Sequence, residues 1–200
     1  MPSAPTRSCY ILYKPYGVVS RVTPEAAWLS LKPFGPFKEG VYPVGRLDAD
    51  SEGLLFLTDD RFLTHRLTDP AFEHPKTYVV QVDRIPDEED LQRLRDGVVI
   101  EGKVTRPAEA RLLPEEPDFP PRPVPVRFRK NVPTAWIELV LREGRNRQVR
   151  KMTAAVGHPT LRLVRTRIGD FTLDGLEPGQ SRELTVAEYQ RLRRWAGGTR

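Results

Sequence analysis

Apolar residues in this chain come in short runs divided by glycine and proline, and that spacing limits what it can fold into. Even the longest stretches, such as GLLFLT at 53–58, fall far below the roughly 20 apolar residues that span a bilayer. CYILY (9–13), KTYVVQV (76–82), AWIELVL (135–141) and TLRLVRTRI (160–168) read as strands. The alternation in KTYVVQV suits a half-buried sheet, and Ile137, Leu139 and Leu141 share one strand face. Helices are fewer. One runs from a cap at Asp59 or Asp60 through Leu67, and a second follows Pro86 with Asp87, Glu88 and Glu89 in its acidic first turn and Gly97 at its end. A third takes Asn146 as N-cap, carries Val149, Met152 and Val156 as its apolar stripe and closes at Gly157. A basic terminal helix over 185–197 opens with a Thr185–Glu188 capping box, with Leu184 and Tyr189 at the staple positions. Hairpin-compatible strands interspersed with helices, with no internal repeat, predict an α+β fold rather than a doubly wound sheet.

With 200 residues, 38% of them hydrophobic, the chain can bury the core of one domain or of two closely packed lobes. The expected lobes cover 8–68 and 69–184. The opening MPSAPTRS lacks the apolar segment of a secretory signal, and Cys9, the single cysteine, has no internal disulfide partner. Both point to a reducing, cytoplasmic setting. One cysteine and three scattered histidines supply no zinc or redox-metal ligand set, so no metal is expected. GRLDADSEG does put Asp48, Asp50, Glu52 and Gly53 at the first, third, fifth and sixth positions of a calcium loop. Its twelfth position is Asp59 instead of a bidentate glutamate, and the flanks VYPVG and LLFLT are not helical, which argues against calcium. The proline-dense run 114–133 is too short and mixed for a disordered tail and reads as an ordered surface excursion.

Charge is unevenly distributed. Eleven basic residues between Arg127 and Arg167 face two acidic ones, Glu138 and Glu143, so a segment of +9 sits in a chain of +5 and the remainder carries −4. Such segregation suits a polyanion, because clustered Arg and Lys release counterions from phosphates; a solvated basic face accounts for the charge equally well.

GRLDADSEG is a glycine-flanked polar loop that delivers the chain into the strand GLLFLT. On spacing alone, Arg46 and Asp48 do no more than pin a turn. GRLDADSEGLLFLTDD, KTYVV and EGRNRQVRKM nevertheless occur in that order, and together they resemble the RsuA family of ribosomal pseudouridine synthases, over about Tyr10 to Leu184. The first segment is close to that family's long G-R-L-D-x-x-[ST]-x-G-L-L signature. The absence of an RNA-binding module before YILYKPYG, and the segment PPRPVPVRFRKNVPTAWIEL, look most like the members that act on large-subunit ribosomal RNA.

The resemblance implies one catalytic domain with the pseudouridine synthase fold, an α+β arrangement of a mixed, mostly antiparallel sheet with helices, in two closely packed lobes around a central RNA cleft. It implies an isomerase that turns a specific uridine of large-subunit ribosomal RNA into pseudouridine by base flipping, with no cofactor, no membrane and a monomeric chain. By likeness Asp48 is the catalytic carboxylate, attacking the sugar or removing its 2′ proton, and Tyr78 is the platform for the flipped uracil and relay for C5 deprotonation. Arg150 is the cation that keeps Asp48 ionised or, alternatively, a phosphate contact. Arg46 fills the space the base leaves, or makes a loop salt bridge, and Arg145, Arg147, Gln148 and Lys151 are expected to contact RNA. A non-catalytic ribosomal RNA-binding assembly factor is the alternative that the basic segment also allows.

Overall fold

The computed structural model describes residues 7–23, 29–126, 132–173 and 175–198; Arg127, Arg129 and Lys130 of the basic segment lie outside them. In chain order the strands are β1 (Cys9–Lys14), β2 (Tyr42–Pro43), β3 (Glu52–Thr58), β4 (Lys76–Asp83), β5 (Val99–Ile100) and β6 (Lys103–Val104). They continue with β7 (Glu109–Leu112), β8 (Thr134–Leu141), β9 (Thr160–Ile168), β10 (Phe171–Thr172) and β11 (Ser181–Glu183). The helices are α1 (Arg61–Thr68), α2 (Glu88–Asp96), α3 (Gln148–Ala155) and α4 (Val186–Gly197). Mixed strands and helices make the protein α+β, as its sequence predicts.

Two compact units divide the chain: Met1–Phe72 with Leu173–Arg200, and Glu73–Thr172. The boundary expected at 68/69 falls after Phe72, and residues 173–184, expected in the second lobe, belong to the first unit. The reason is a strand too short to recognise in sequence. β11 pairs antiparallel with β1 through Tyr10↔Glu183 and Leu12↔Ser181, and Leu184 N–H donates to Cys9 O at 2.7 Å.

In the first unit β3 pairs antiparallel with β1 along its length and with β2 at its far end. Every residue of β1 and β3 is buried, which explains why CYILY and GLLFLT read as continuous apolar runs. Tyr10, Leu12, Val18, Leu31, Val41, Leu55 and Leu57 form one core cluster. Of the two candidate caps for α1, Asp60 serves, accepting from Phe62 N–H at 2.9 Å, while Asp59 accepts from Ser8 N–H at 2.9 Å. The same Asp60 carboxylate holds α4, through Tyr189 Oη at 2.6 Å and Arg193 Nε at 3.2 Å. α4 starts with the Thr185–Glu188 capping box.

In the second unit β4 lies between β9 and β8, with β7 beyond β8 and β10 folded back on β9, all antiparallel. Val80, Val82, Ile137, Leu139, Leu141 and Leu163 of this sheet pack with Leu91 and Leu94 of α2 and Val149 and Met152 of α3. Asp87 caps α2 and Gly97 ends it at φ 104°, where a Cβ would lie 2.5 Å from Thr105 O. The described part of the proline-rich excursion is ordered by Arg162, which donates to Pro120 O at 2.8 Å and lies over the Phe119 ring. The cap of α3 differs from expectation. Arg147, at φ 51° and ψ 34°, stands at the N-cap with no side-chain cap bond, and Asn146 accepts instead from Lys151 Nζ at 3.3 Å. The helix begins at Gln148, so Asn146 lies one residue before the N-cap and outside the capping position.

Candidate active site

Asp48 and Arg46 come from the first unit; Tyr78, Arg150, Arg145, Arg147, Gln148 and Lys151 come from the second. Asp48 lies on the loop before β3, half-buried, with Arg46 exposed two residues earlier. Its neighbour Leu47 is buried, and the buried Ser20 hydroxyl clamps it from both sides, accepting from Leu47 N–H at 2.9 Å and donating to Leu47 O at 2.7 Å. Asp48 O accepts from Ser51 N–H at 3.0 Å, and Ala49 O accepts from Gly17 N–H at 2.7 Å. The loop is thus fixed on both sides of the carboxylate by neutral hydrogen bonds. Gly17, at φ 81°, belongs to the KPYG turn, which is closed by the fully buried Lys14 donating to Val18 O at 2.7 Å and Pro15 O at 2.9 Å. Sequence reasoning marked KPYG as a turn but missed Ser20, 27 residues from its partner and lacking any local pattern.

Tyr78 is buried on β4, directly opposite Leu139 of β8 and Arg165 of β9, just after a register shift between Thr77 and Tyr78. Lys76 shares its strand face by the two-residue period. Burial, reinforced by the nearby Arg165 guanidinium, pushes the Lys76 ammonium down to about 8. Tyr78 therefore stands beside two basic groups in an apolar setting.

Of the basic helix residues, Arg147 is exposed and Arg150 half-buried, its Nη1 at 3.5 Å from Thr160 O. Gln148 faces inward: its Oε1 accepts from Arg145 N–H at 2.9 Å and its Nε2 donates to Glu143 Oε1 at 2.6 Å. Glu143, missed in sequence reasoning, is a buried carboxylate that also accepts from Arg106 N–H at 2.9 Å and pairs with Arg145 Nε at 3.3 Å. Arg145 in turn donates to Lys103 O and Val104 O of β6 at 3.2 and 2.7 Å. Lys151 pairs with Glu101 at 2.6 Å. The structure thus gathers Arg145, Gln148 and Lys151 into one network with the β5–β6 hairpin. Gln148 and Arg145 serve the loop itself, which their residue types, common at RNA interfaces, did not disclose.

Among the described residues no group of His, Cys, Asp and Glu is placed to hold a metal ion, and no helix is long and apolar enough to cross a membrane. The RNA pseudouridylate synthase family model matches residues 8–155, a span that contains Asp48, Tyr78 and Arg150. The chain therefore belongs to the RNA pseudouridylate synthase family. It is 57% identical over 170 residues to ribosomal large subunit pseudouridine synthase E of Xanthomonas axonopodis pv. citri (strain 306), covering 84% of this chain and 89% of that one. It is 48% identical over 180 residues to the synthase of the same name from Vibrio parahaemolyticus serotype O3:K6 (strain RIMD 2210633), covering 90% and 75%. A solved structure described as a pseudouridylate synthase superposes with a TM-score of 0.77 at 29% identity, over 95% of this chain and 75% of that one.

Proposed function

We propose that this protein converts a specific uridine of large-subunit ribosomal RNA into pseudouridine, as a cytoplasmic monomer. The observation that carries the reading is 57% identity, over most of both chains, to a protein named for that reaction on the large ribosomal subunit.

The reaction exchanges an N-glycosidic bond for a C-glycosidic one within a single nucleotide, so nothing is oxidised and no group is donated. In our reading Asp48 attacks the anomeric carbon or takes the 2′ proton, countering the positive charge that develops on the sugar. The fixed loop suits this, because a carboxylate held by its own backbone needs little rearrangement as the reaction proceeds. Tyr78 supplies a face for the extruded uracil and an oxygen for moving the C5 proton. Arg150 supplies the cation that the family likeness assigns to the reaction. Arg46 takes the place of the extruded base, at a cost for unstacking of a few kcal/mol that the remaining contacts offset. Arg147 and Lys151 hold the phosphates, while Arg145 and Gln148 shape the loop that presents them.

The test compares wild type with Asp48→Asn on a large-subunit ribosomal RNA transcript and on assembling particles. We expect pseudouridine from the wild type alone, with RNA binding kept within about twofold in the variant, since a single uncharged replacement removes no phosphate contact. Product from Asp48→Asn at the wild-type rate refutes the role of this carboxylate. RNA binding with no product from either protein favours an assembly factor.

A further inference from the structure

The β5–β6 hairpin turns through Glu101 and Gly102, at φ 50° and 74°, with Ile100 and Lys103 paired on either side. Two successive positive φ values define a type I′ turn, whose first position favours asparagine or glycine because other side chains are strained there. This hairpin places a glutamate in that position. Locally the acid brings no benefit. Its carboxylate instead reaches Lys151 Nζ on α3 at 2.6 Å, and the ammonium holds the Glu101 carboxyl below the usual range, with Arg145 adding to the effect. Asn146 Oδ1 is the second acceptor at Lys151, at 3.3 Å.

The hairpin has other anchors. Arg145 donates to two carbonyls of β6, and Ile100 is buried in the core of the second unit. The Glu101–Lys151 pair is exposed on the acid's side, with 67% of the Glu101 side chain and 27% of the Lys151 side chain accessible. Ion pairs of this kind contribute little to stability. A strained acid, on a hairpin already fastened elsewhere, therefore acts chiefly on the charge that Lys151 presents.

We infer that Glu101 tunes the affinity of this face for RNA: it masks Lys151 against nucleic-acid phosphate, and an RNA seated on the rest of α3 must displace it to reach the lysine. The inference rests on the proposed RNA-facing role of α3. A phosphate arriving alone exchanges one anion for another at Lys151 and is repelled by the acid it displaces. An RNA held by the neighbouring contacts meets the same cost at Lys151, because the Glu101 pair is broken whichever RNA displaces it.

The test is Glu101→Asn, a replacement that the turn accommodates better than the native residue, so folding is no obstacle. Dissociation constants are measured by fluorescence anisotropy across a salt series, for a short oligoadenylate and for a large-subunit ribosomal RNA transcript. We expect oligoadenylate to bind more tightly by up to about fivefold, the upper end for an exposed ion pair. Its salt slope should steepen by about 0.7, one further phosphate neutralised on a single strand. Affinity for the transcript should rise by a similar factor. Adding Lys151→Ala to Glu101→Asn should return oligoadenylate binding to that of Lys151→Ala alone. No change for either RNA, or tightening that survives the loss of Lys151, overturns the masking role. Pseudouridine formed by the wild type on the same transcript is scored in parallel: masking that fails while product forms sinks this inference alone, and a wild type without product sinks the functional reading.

Discussion

The loop that carries Asp48 and the loop that leads into α3 are both short, polar and glycine-containing, yet they are held by opposite means. Around Asp48 the backbone of Leu47, Asp48 and Ala49 is held by neutral bonds: the Ser20 hydroxyl on both backbone groups of Leu47, Gly17 N–H on Ala49 O, and Ser51 N–H on Asp48 O. Around α3 the bonds run through charges, with Glu143 gathering Arg145, Gln148 and the Arg106 amide, and Glu101 meeting Lys151. Neutral hydrogen bonds change little with ionic strength, whereas exposed ion pairs are screened. A group that must approach a reacting sugar is placed by the first kind. Groups that must exchange partners with phosphate are placed by the second.

The largest effect that would sharpen this contrast comes from Glu143→Ala. Removing a buried carboxylate leaves Gln148 Nε2, Arg106 N–H and the Arg145 guanidinium short of an acceptor, and the expected loss is about 3 kcal/mol. Urea denaturation measures it. A loss under about 1 kcal/mol would mean that the network rearranges around water and does not fix the loop. Ser20→Ala comes next, at about 2 kcal/mol, because both Leu47 backbone groups lose their partner in a buried setting. Pseudouridine formation should fall with it, and by the same factor in low and high salt. A salt-dependent loss would break the comparison, since a hydroxyl bonded to backbone groups is not screened.

The same contrast explains what could be read from the sequence. Strand periodicity located β1, β3, β4, β8 and β9, because five or more residues of alternating or continuous apolar character leave a pattern. β7, β10 and β11, at two to four residues, leave none, and missing β11 was enough to assign residues 173–184 to the wrong unit. Caps were legible where the bond is local, as at Asp60, one of two candidates, and Thr185; Asp87, read as part of the first turn, is itself the cap of α2, and Asn146 lies one residue before the N-cap of α3. The candidate residues were visible through the family likeness and not through any local rule. Their supports were not visible, because Ser20–Leu47, Arg106–Glu143 and Glu101–Lys151 join residues 27 to 50 positions apart. Gln148 illustrates the limit: a polar residue on a basic helix reads as a ligand contact, and only the fold shows its amide turned inward.

The smallest effect separates the two loops by pH. Lys151 holds the Glu101 carboxyl below its ordinary value of 4.5, so the bond stabilises the folded state fully above that value and is lost as pH falls through the depressed one. Arg145 keeps its grip on β6 throughout, so the hairpin should loosen without melting. Amide exchange followed by NMR should show a lower protection factor at the hairpin tip, taken against the intrinsic rate at each pH, as the solution is acidified below 4.5. Leu47 N–H, whose acceptor is a hydroxyl that does not titrate, should keep its protection across the same interval. If Leu47 and the hairpin lose protection together, acid is unfolding the chain as a whole and the two loops are not independently held. If Glu101→Asn abolishes the hairpin's response and leaves Leu47 unchanged, the ion pair is the group that titrates.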